Sequence, residues 1–179
     1  MKSVTERVYL TDFILACLAY CLFVGSDSIV KYLGSDYSIV QIIFVNSWFA
    51  LIPIVLYTQT LNGWRKLKKA NFTVHFFRAL TMALALFFGY TGFYRLPMVT
   101  MYSIVFLIPL MITIGSVFFL GEVVRWKRFT AILIGFIGAI ISINPFGTEY
   151  NNYIFLALFC PIFASASYLI VRKYGLKEN

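Results

Sequence analysis

Charged side chains are scarce in this sequence. Asp, Glu, Lys and Arg make up 12% of its 179 residues, whereas soluble domains carry about 25%. Hydrophobic residues make up 61%, and the mean hydropathy is +0.85. A chain of this size cannot bury so much apolar surface in a core of its own. The composition therefore excludes an ordinary soluble domain and predicts a protein that crosses a membrane several times.

Residue types that bind metals or carry out catalysis are also scarce. His75 is the one histidine, and Cys17, Cys21 and Cys160 lie in apolar runs without CxxC spacing. The sequence has no recognisable Ser/His/Asp or Cys/His set, phosphate-binding loop or carboxylate pair. It therefore predicts no metal, no cofactor and no enzyme.

The basic residues are distributed unevenly between the predicted loops. Six spans are expected, at about 10–33, 38–58, 73–94, 97–121, 128–145 and 152–171. Thirteen of the 15 Lys and Arg residues fall on the side that holds both termini, and two, Lys31 and Arg95, fall on the other. Because retained loops are basic, both termini are predicted to be cytoplasmic. The net charge of +8 thus indicates membrane topology rather than a nucleic-acid partner.

The first and last spans resemble each other. When the chain is shifted by 141 residues, Leu15–Lys31 lies on Leu156–Arg172, with five identical residues and Lys31 opposite Arg172. A repeat unit of five spans would begin its second copy on the opposite side of the membrane. That is the inverted-repeat arrangement of secondary transporters, whose substrate site lies between the copies.

Two polar residues in the first and second spans are candidates for a substrate pathway. Asp27 is a carboxylate that could couple transport to a proton or contact the substrate. Alternatively, it forms an i,i+4 pair with Lys31. Asn46 could bind substrate, or it could form a hydrogen bond between helices.

The third and fourth spans supply five more candidates. Arg78 could contact an anionic group, or it could extend its side chain to the lipid headgroups. Tyr102, Pro109, Thr113 and Ser116 follow at i, i+7, i+11 and i+14, which places them on one stripe of a continuous helix. Pro109 leaves a carbonyl without its donor, so it indicates either a hinge beside a cavity or a static kink.

Other features of these spans indicate packing. Small residues form one stripe in the third span and one in the fifth, which predicts close approach of helix backbones; the stripes are Thr81, Ala85, Gly89 and Gly92, and Ala131, Gly135, Gly138 and Ser142. Gly121-Glu122 ends the fourth span beside Arg125. This predicts a helix stop with an ion pair at the membrane interface.

The stretch Phe93–Pro145 resembles the last two helices of an EamA-type repeat of the drug/metabolite transporter superfamily. The matching features are Pro97, Pro109, Gly121-Glu122, Gly135, Gly138 and Pro145. Lys31–Gly34 and Phe76–Leu80 are similar to members related to bacterial S-adenosylmethionine transporters. One departure is that members often have an arginine near the position of Asn46, and this chain has none in its second span.

The resemblance implies an all-α fold: a polytopic transmembrane helix bundle with one five-helix EamA repeat and the first helix of an inverted second repeat. Residues 1–150 would form the first repeat, and 151–179 would begin an incomplete second one. The function implied is alternating-access transport of a small metabolite, amino-acid-like or S-adenosylmethionine-like. The expected partners are membrane lipid, the substrate, and a C-terminal half or a homo-oligomer. The alternative is a truncated or split-gene fragment, or an assembly subunit, without transport activity alone.

Overall fold

The computed structural model describes residues 2–60, 71–123, 125–143 and 152–175. The described chain consists of helices and short connections: α1 (Lys2–Leu33), α2 (Ile39–Thr60), α3 (Phe72–Arg95), α4 (Met98–Val105), α5 (Leu107–Leu120), α6 (Trp126–Ile143) and α7 (Tyr153–Tyr174). Three features of the sequence lie outside the described residues, namely the basic loop 65–69, Pro145 and Lys177.

The prediction of a polytopic all-α bundle is confirmed. Within the described residues, five stretches are long and apolar enough to cross a membrane, and these are Thr11–Leu33, Ile39–Gln59, Phe72–Arg95, Met98–Leu120 and Tyr153–Tyr174. The predicted fifth span, 128–145, corresponds to α6, a helix of 18 residues. Most side chains of residues 11–33 in α1 and 39–59 in α2 are exposed, as expected for helices whose apolar faces meet lipid or other helices.

Local sequence determines where several helices begin and end. Ser38 and Gln41 form a capping box before α2, each accepting a hydrogen bond from the other's backbone N–H. The Asn71 side chain accepts from the Thr73 N–H at the start of α3. Gly121 ends α5 in the left-handed conformation, with φ of 67°, which a residue without a Cβ adopts at little cost.

The fourth predicted span is divided into α4 and α5 at Phe106. Pro109 explains the position of this break, because it has no N–H to donate to the carbonyl of Val105. The Phe106 N–H still donates to the Tyr102 carbonyl oxygen, at 2.9 Å, and Phe106 keeps a right-handed helical conformation. The division is therefore a local interruption of one span and not a reversal of the chain.

Helix α3 lies between two apolar clusters. On one side, Val30 of α1 and Ile42 of α2 pack with Tyr90. On the other side, α3 packs with α4 and α7 in a cluster of Phe93, Leu96, Met101, Ile104, Ala157 and Cys160. Both clusters lie toward the end of the bundle that contains Pro97, hereafter the Pro97 end. The opposite end contains Glu122.

Helices α1 and α7, which pack on the two sides of α3, run in opposite directions. The C-terminal end of α1 meets the C-terminal end of α3, where a Cβ added to Gly34 would lie 2.6 Å from the Tyr94 ring. Along α7 the order is reversed, because the N-terminal Ala157 lies against Gly92 and the Ser167 hydroxyl donates to the Arg78 carbonyl at 3.2 Å. Thus α1 is parallel to α3 and α7 is antiparallel to it.

The predicted small-residue packing is confirmed on α3 and absent from α6. A Cβ added to Gly89 would lie 3.2 Å from the Cys160 sulfur, and one added to Gly92 would collide with Met101. In α6, by contrast, nothing lies within 4 Å of a Cβ added to Gly135 or Gly138. These glycines line an open cleft of about 590 Å³ between α6 and α4–α5, so the prediction of close packing at that stripe is wrong for the described chain.

Candidate functional site

Asp27 forms the centre of a polar cluster near the Pro97 end of the bundle. Its carboxylate is half-buried and accepts a hydrogen bond from the Tyr102 hydroxyl, with 2.8 Å between Asp27 Oδ2 and Tyr102 Oη. Tyr102 packs against an apolar cluster that includes Cys160 of α7, and Tyr90 of α3 packs against Val30, three residues after Asp27 on α1. The cluster therefore draws side chains from α1, α3, α4 and α7.

Lys31 does not neutralise Asp27. The Lys31 ammonium instead donates to two backbone carbonyl oxygens at the end of α3, those of Phe93 at 3.3 Å and Leu96 at 2.7 Å. In the part of the chain that the structure describes, no basic side chain lies within ion-pair distance of the Asp27 carboxylate. The expected alternative of an i,i+4 pair is therefore wrong.

Asn46 joins the cluster through Tyr90. Its Nδ2 group donates to the Tyr90 hydroxyl oxygen at 2.7 Å, across the contact between α2 and α3. Tyr90 is buried, with 7% of its surface exposed, so its hydroxyl requires such a polar partner. The Asn46–Tyr90 pair thus connects α2 to the helix that also carries Phe93 and the Lys31 contacts.

A cleft of about 750 Å³ opens beside this pair between α1, α2 and α3. Its walls are mostly apolar, and its polar residues are Ser26, Tyr37, Gln41, Asn46 and Tyr90. Sites for small organic molecules commonly combine an apolar wall with a few polar groups in this way. The cleft and the Asp27–Tyr102 pair lie on different sides of α1.

The remaining predicted residues lie away from this cluster. Arg78 is exposed on α3, and its backbone is about 18 Å from Tyr90 along the helix axis, given a rise of 1.5 Å per residue. Pro109 lines the cleft between α4–α5 and α6, and Thr113 lines a second cleft of about 680 Å³ between α5 and α6. Ser116 is buried next to Gly115, where α5 packs against Leu169 of α7.

The predicted polar stripe therefore faces different neighbours along its length. Tyr102 meets Asp27, whereas Thr113 and Ser116 donate their hydroxyl hydrogens to carbonyl oxygens of their own helix, at Pro109 and Thr113 respectively, both at 2.8 Å. Such bonds satisfy a hydroxyl without a cavity.

Two members of the cluster, Tyr90 and Cys160, were not among the predicted site residues, and neither was Lys31, which binds the nearby end of α3. Tyr90 lies seven residues before Pro97 in an apolar helix, and nothing in that pattern separates it from a packing aromatic. For Lys31 the sequence did contain a signal, namely Pro97. Because proline has no N–H to donate to the Phe93 carbonyl, that carbonyl needs a donor from elsewhere, such as a basic side chain. Among the residues that the structure describes, no group of three His, Cys, Asp or Glu side chains is placed to hold a metal ion.

Residues 11–144 match the EamA-like transporter family. The chain belongs to this family. Its relatives include the S-adenosylmethionine uptake transporter of Rickettsia conorii, which is 31% identical over 180 residues that cover 97% of this chain and 58% of that protein. The riboflavin transporter of Vibrio cholerae is 26% identical, over 86% of this chain and 52% of that protein. The pseudopaline exporter of Pseudomonas aeruginosa is 21% identical, over 93% and 58% respectively.

This EamA-family chain thus spans little more than half the length of these relatives. No solved structure matches it with significance. The family and the apolar helices together show a multi-pass membrane protein of a transporter family whose substrates differ between members.

Proposed function

We propose that this chain forms part of a secondary transporter that moves a small metabolite by alternating access. The observation that carries the proposal is the half-buried Asp27 carboxylate, which is held by the Tyr102 hydroxyl and has no basic partner within the described residues. An ionisable side chain within a membrane costs about 3 kcal/mol or more on insertion scales, and it usually faces a pathway for ions or substrate. Membership of a transporter family supports a role in transport rather than in catalysis.

The proposed substrate is amino-acid-like or S-adenosylmethionine-like. Relatives at about 30% identity are named for S-adenosylmethionine uptake. S-adenosylmethionine and amino acids both carry a cationic group, and a carboxylate such as Asp27 attracts cations in a low-dielectric site. The Tyr102 hydroxyl would supply a hydrogen bond to the same molecule. Asn46, which lines the cleft on the other side of α1, would contact substrate at a different stage of transport. The other proposed pathway residues lie outside this cluster and would act at other stages of the alternating-access transport cycle; they are Arg78, Pro109, Thr113 and Ser116.

We further propose that transport requires an inverted counterpart of the first five spans. Residues 1–150 would form the first repeat, and residues 151–179 would begin the second. The opposite directions of α1 and α7 along α3 support this division. Since the Rickettsia relatives are longer than the aligned region, the remaining helices of the inverted counterpart would come from a C-terminal half. A second copy with both termini on the same side of the membrane would lie parallel to the first and would not supply that inverted half by simple dimerisation. The proposed location is the inner membrane, with both termini cytoplasmic.

Whole-cell uptake of radiolabelled S-adenosylmethionine and amino acids tests the proposal. The chain should be expressed alone and together with the C-terminal half of a Rickettsia relative. Asp27→Asn should abolish uptake, and Tyr102→Phe should reduce it about tenfold, because it removes a hydrogen bond to a charged group. The matched control is Asp36→Asn, which makes the same chemical change at an exposed position after α1.

Two results would contradict the proposal. Unchanged uptake and pH dependence in Asp27→Asn would remove Asp27 from the pathway. Absence of uptake in every combination, despite normal membrane abundance, would favour the alternative of an assembly subunit that does not transport.

A further inference from the structure

The corner between α3 and α4 leaves two backbone carbonyl groups without their usual helical donors. Pro97 has no N–H to donate to the carbonyl oxygen of Phe93, four residues earlier. Leu96 is the C-cap of α3, with an extended backbone at φ −110° and ψ 157°, so its own carbonyl points out of the helix. In a membrane such groups need a partner from elsewhere in the protein.

Lys31 supplies that partner from α1. Its ammonium donates to both carbonyl oxygens, and its positive charge lies at the C-terminal, negative end of the α3 dipole. Its half-buried side chain enters beside Gly34, whose lack of a Cβ permits the close approach of Tyr94. One end of α1 is thus fixed to the α3–α4 corner by a charge-assisted contact and a close packing contact.

The same corner determines the position of Tyr102. α4 begins directly after Pro97, and the Tyr102 ring packs edge-on against the Phe93 ring, with 5.2 Å between the centroids. The Tyr102 hydroxyl then reaches Asp27, one helical turn before Lys31 on α1. Asp27, Tyr102, Phe93 and Lys31 therefore form a ring of contacts that begins and ends on α1.

We infer that Lys31 is a positioning residue for the proposed transport site. By holding the Phe93 and Leu96 carbonyls, it fixes the α3–α4 corner and so keeps the Tyr102 hydroxyl on the Asp27 carboxylate. This inference rests on the proposed function for its consequence in transport, but the contact itself can be tested without any substrate.

Cys160 provides the substrate-free measurement. It is buried in the cluster that contains Phe93 and Leu96, whereas Cys17 and Cys21 are exposed on α1. With Cys17→Ser and Cys21→Ser, Cys160 becomes the single thiol of the chain. Its rate of maleimide labelling in membrane vesicles then reports how often the corner opens.

Lys31→Met should increase the labelling rate about tenfold, because a hydrogen bond to a charged group contributes on the order of a factor of ten to an equilibrium. Lys31→Arg, which keeps the charge and the donors, should label at nearly the rate of the parent. Lys173→Met is the matched control, since Lys173 is exposed at the far end of α7. If Lys31→Met does not accumulate in the membrane, Lys31→Gln, which keeps an uncharged N–H donor, should give an intermediate rate.

Uptake by the same variants tests the consequence for transport. Lys31→Met should lower the maximal uptake rate, and Lys31→Arg should restore it. Unchanged Cys160 labelling in Lys31→Met would overturn the structural part of the inference, whether or not the chain transports. Faster labelling with unchanged uptake in an active transporter would overturn the positioning role, and the proposed function would remain standing.

Discussion

Arg172 of α7 and Glu122, which directly follows Gly121 at the end of α5, form an ion pair, with 2.9 Å between Nη2 and Oε1. The predicted ion pair at this helix stop is confirmed, but the prediction that Arg125 lies beside Glu122 as its partner is wrong, because the partner is Arg172. Arg172 is opposite Lys31 when the chain is shifted by 141 residues. The two basic residues thus hold opposite ends of the fourth span, Lys31 at its start and Arg172 at its end.

Reversing one charge of this pair should destabilise the contact between α5 and α7. Glu122→Arg should lower the melting temperature of the detergent-solubilised protein, and the exchange of both charges with Arg172→Glu should restore it. The expected free-energy change is about 1 kcal/mol or less, because both side chains are partly exposed. Fluorescence-detected gel filtration after heating measures the effect. Lys173→Glu is the control, and a double variant as unstable as Glu122→Arg would contradict the prediction.

Enlarging Gly92 should disturb the packing of α3 far more than the same change at Gly138. A Cβ at Gly92 would meet Met101 and, at 3.2 Å, the Cβ of Ala157, whereas nothing lies within 4 Å at Gly138. Overpacking of a helix contact costs roughly 1–3 kcal/mol. Gly92→Val should therefore lower thermal stability clearly, and Gly138→Val should change it little. Equal losses would show that α6 is packed as closely as α3.

The hydrogen bond between Asn46 and Tyr90 should appear as a coupling energy between α2 and α3. We expect about 0.5–1.5 kcal/mol from a double-mutant cycle of Asn46→Leu and Tyr90→Phe, measured by denaturation in detergent. Ser47→Ala is the matched control, because the Ser47 hydroxyl donates to the Ile43 carbonyl of its own helix. Coupling as large for Ser47 as for Asn46 would indicate a general loosening of α2 rather than a specific bond.

Much of the bundle could be predicted from the sequence, because lipid imposes few choices. Runs of about 20 apolar residues must be helices in a bilayer, so the spans follow directly from hydropathy. The cost of an ionisable group in the same environment explains why Asp27 could be singled out. The small-residue stripe of α3 was also informative, since close helix contacts require residues such as Gly89 and Gly92.

The partners of the polar groups could not be predicted in the same way. Thr113 and Ser116 look like cavity residues on a helical wheel, but each hydroxyl is satisfied by a carbonyl of its own helix. Lys31 has an acidic residue one turn away, yet its ammonium binds two carbonyl oxygens at the α3–α4 corner. Hydropathy and periodicity describe side chains, whereas these contacts depend on backbone groups that become available only when the chain turns.

The position of α3 between oppositely directed helices has a consequence for sequence variation. A residue on α3 such as Tyr90 or Gly92 must suit a neighbour on α1 or α2 or a neighbour on α4 or α7, and a shift of the helix axis alters both sets of contacts together. A substitution on α3 therefore cannot be compensated by a second substitution in a single neighbouring helix. Saturation mutagenesis should find tolerance lowest along α3 and highest on the exposed faces of α2, so that α3 limits how far this chain can diverge while it still folds.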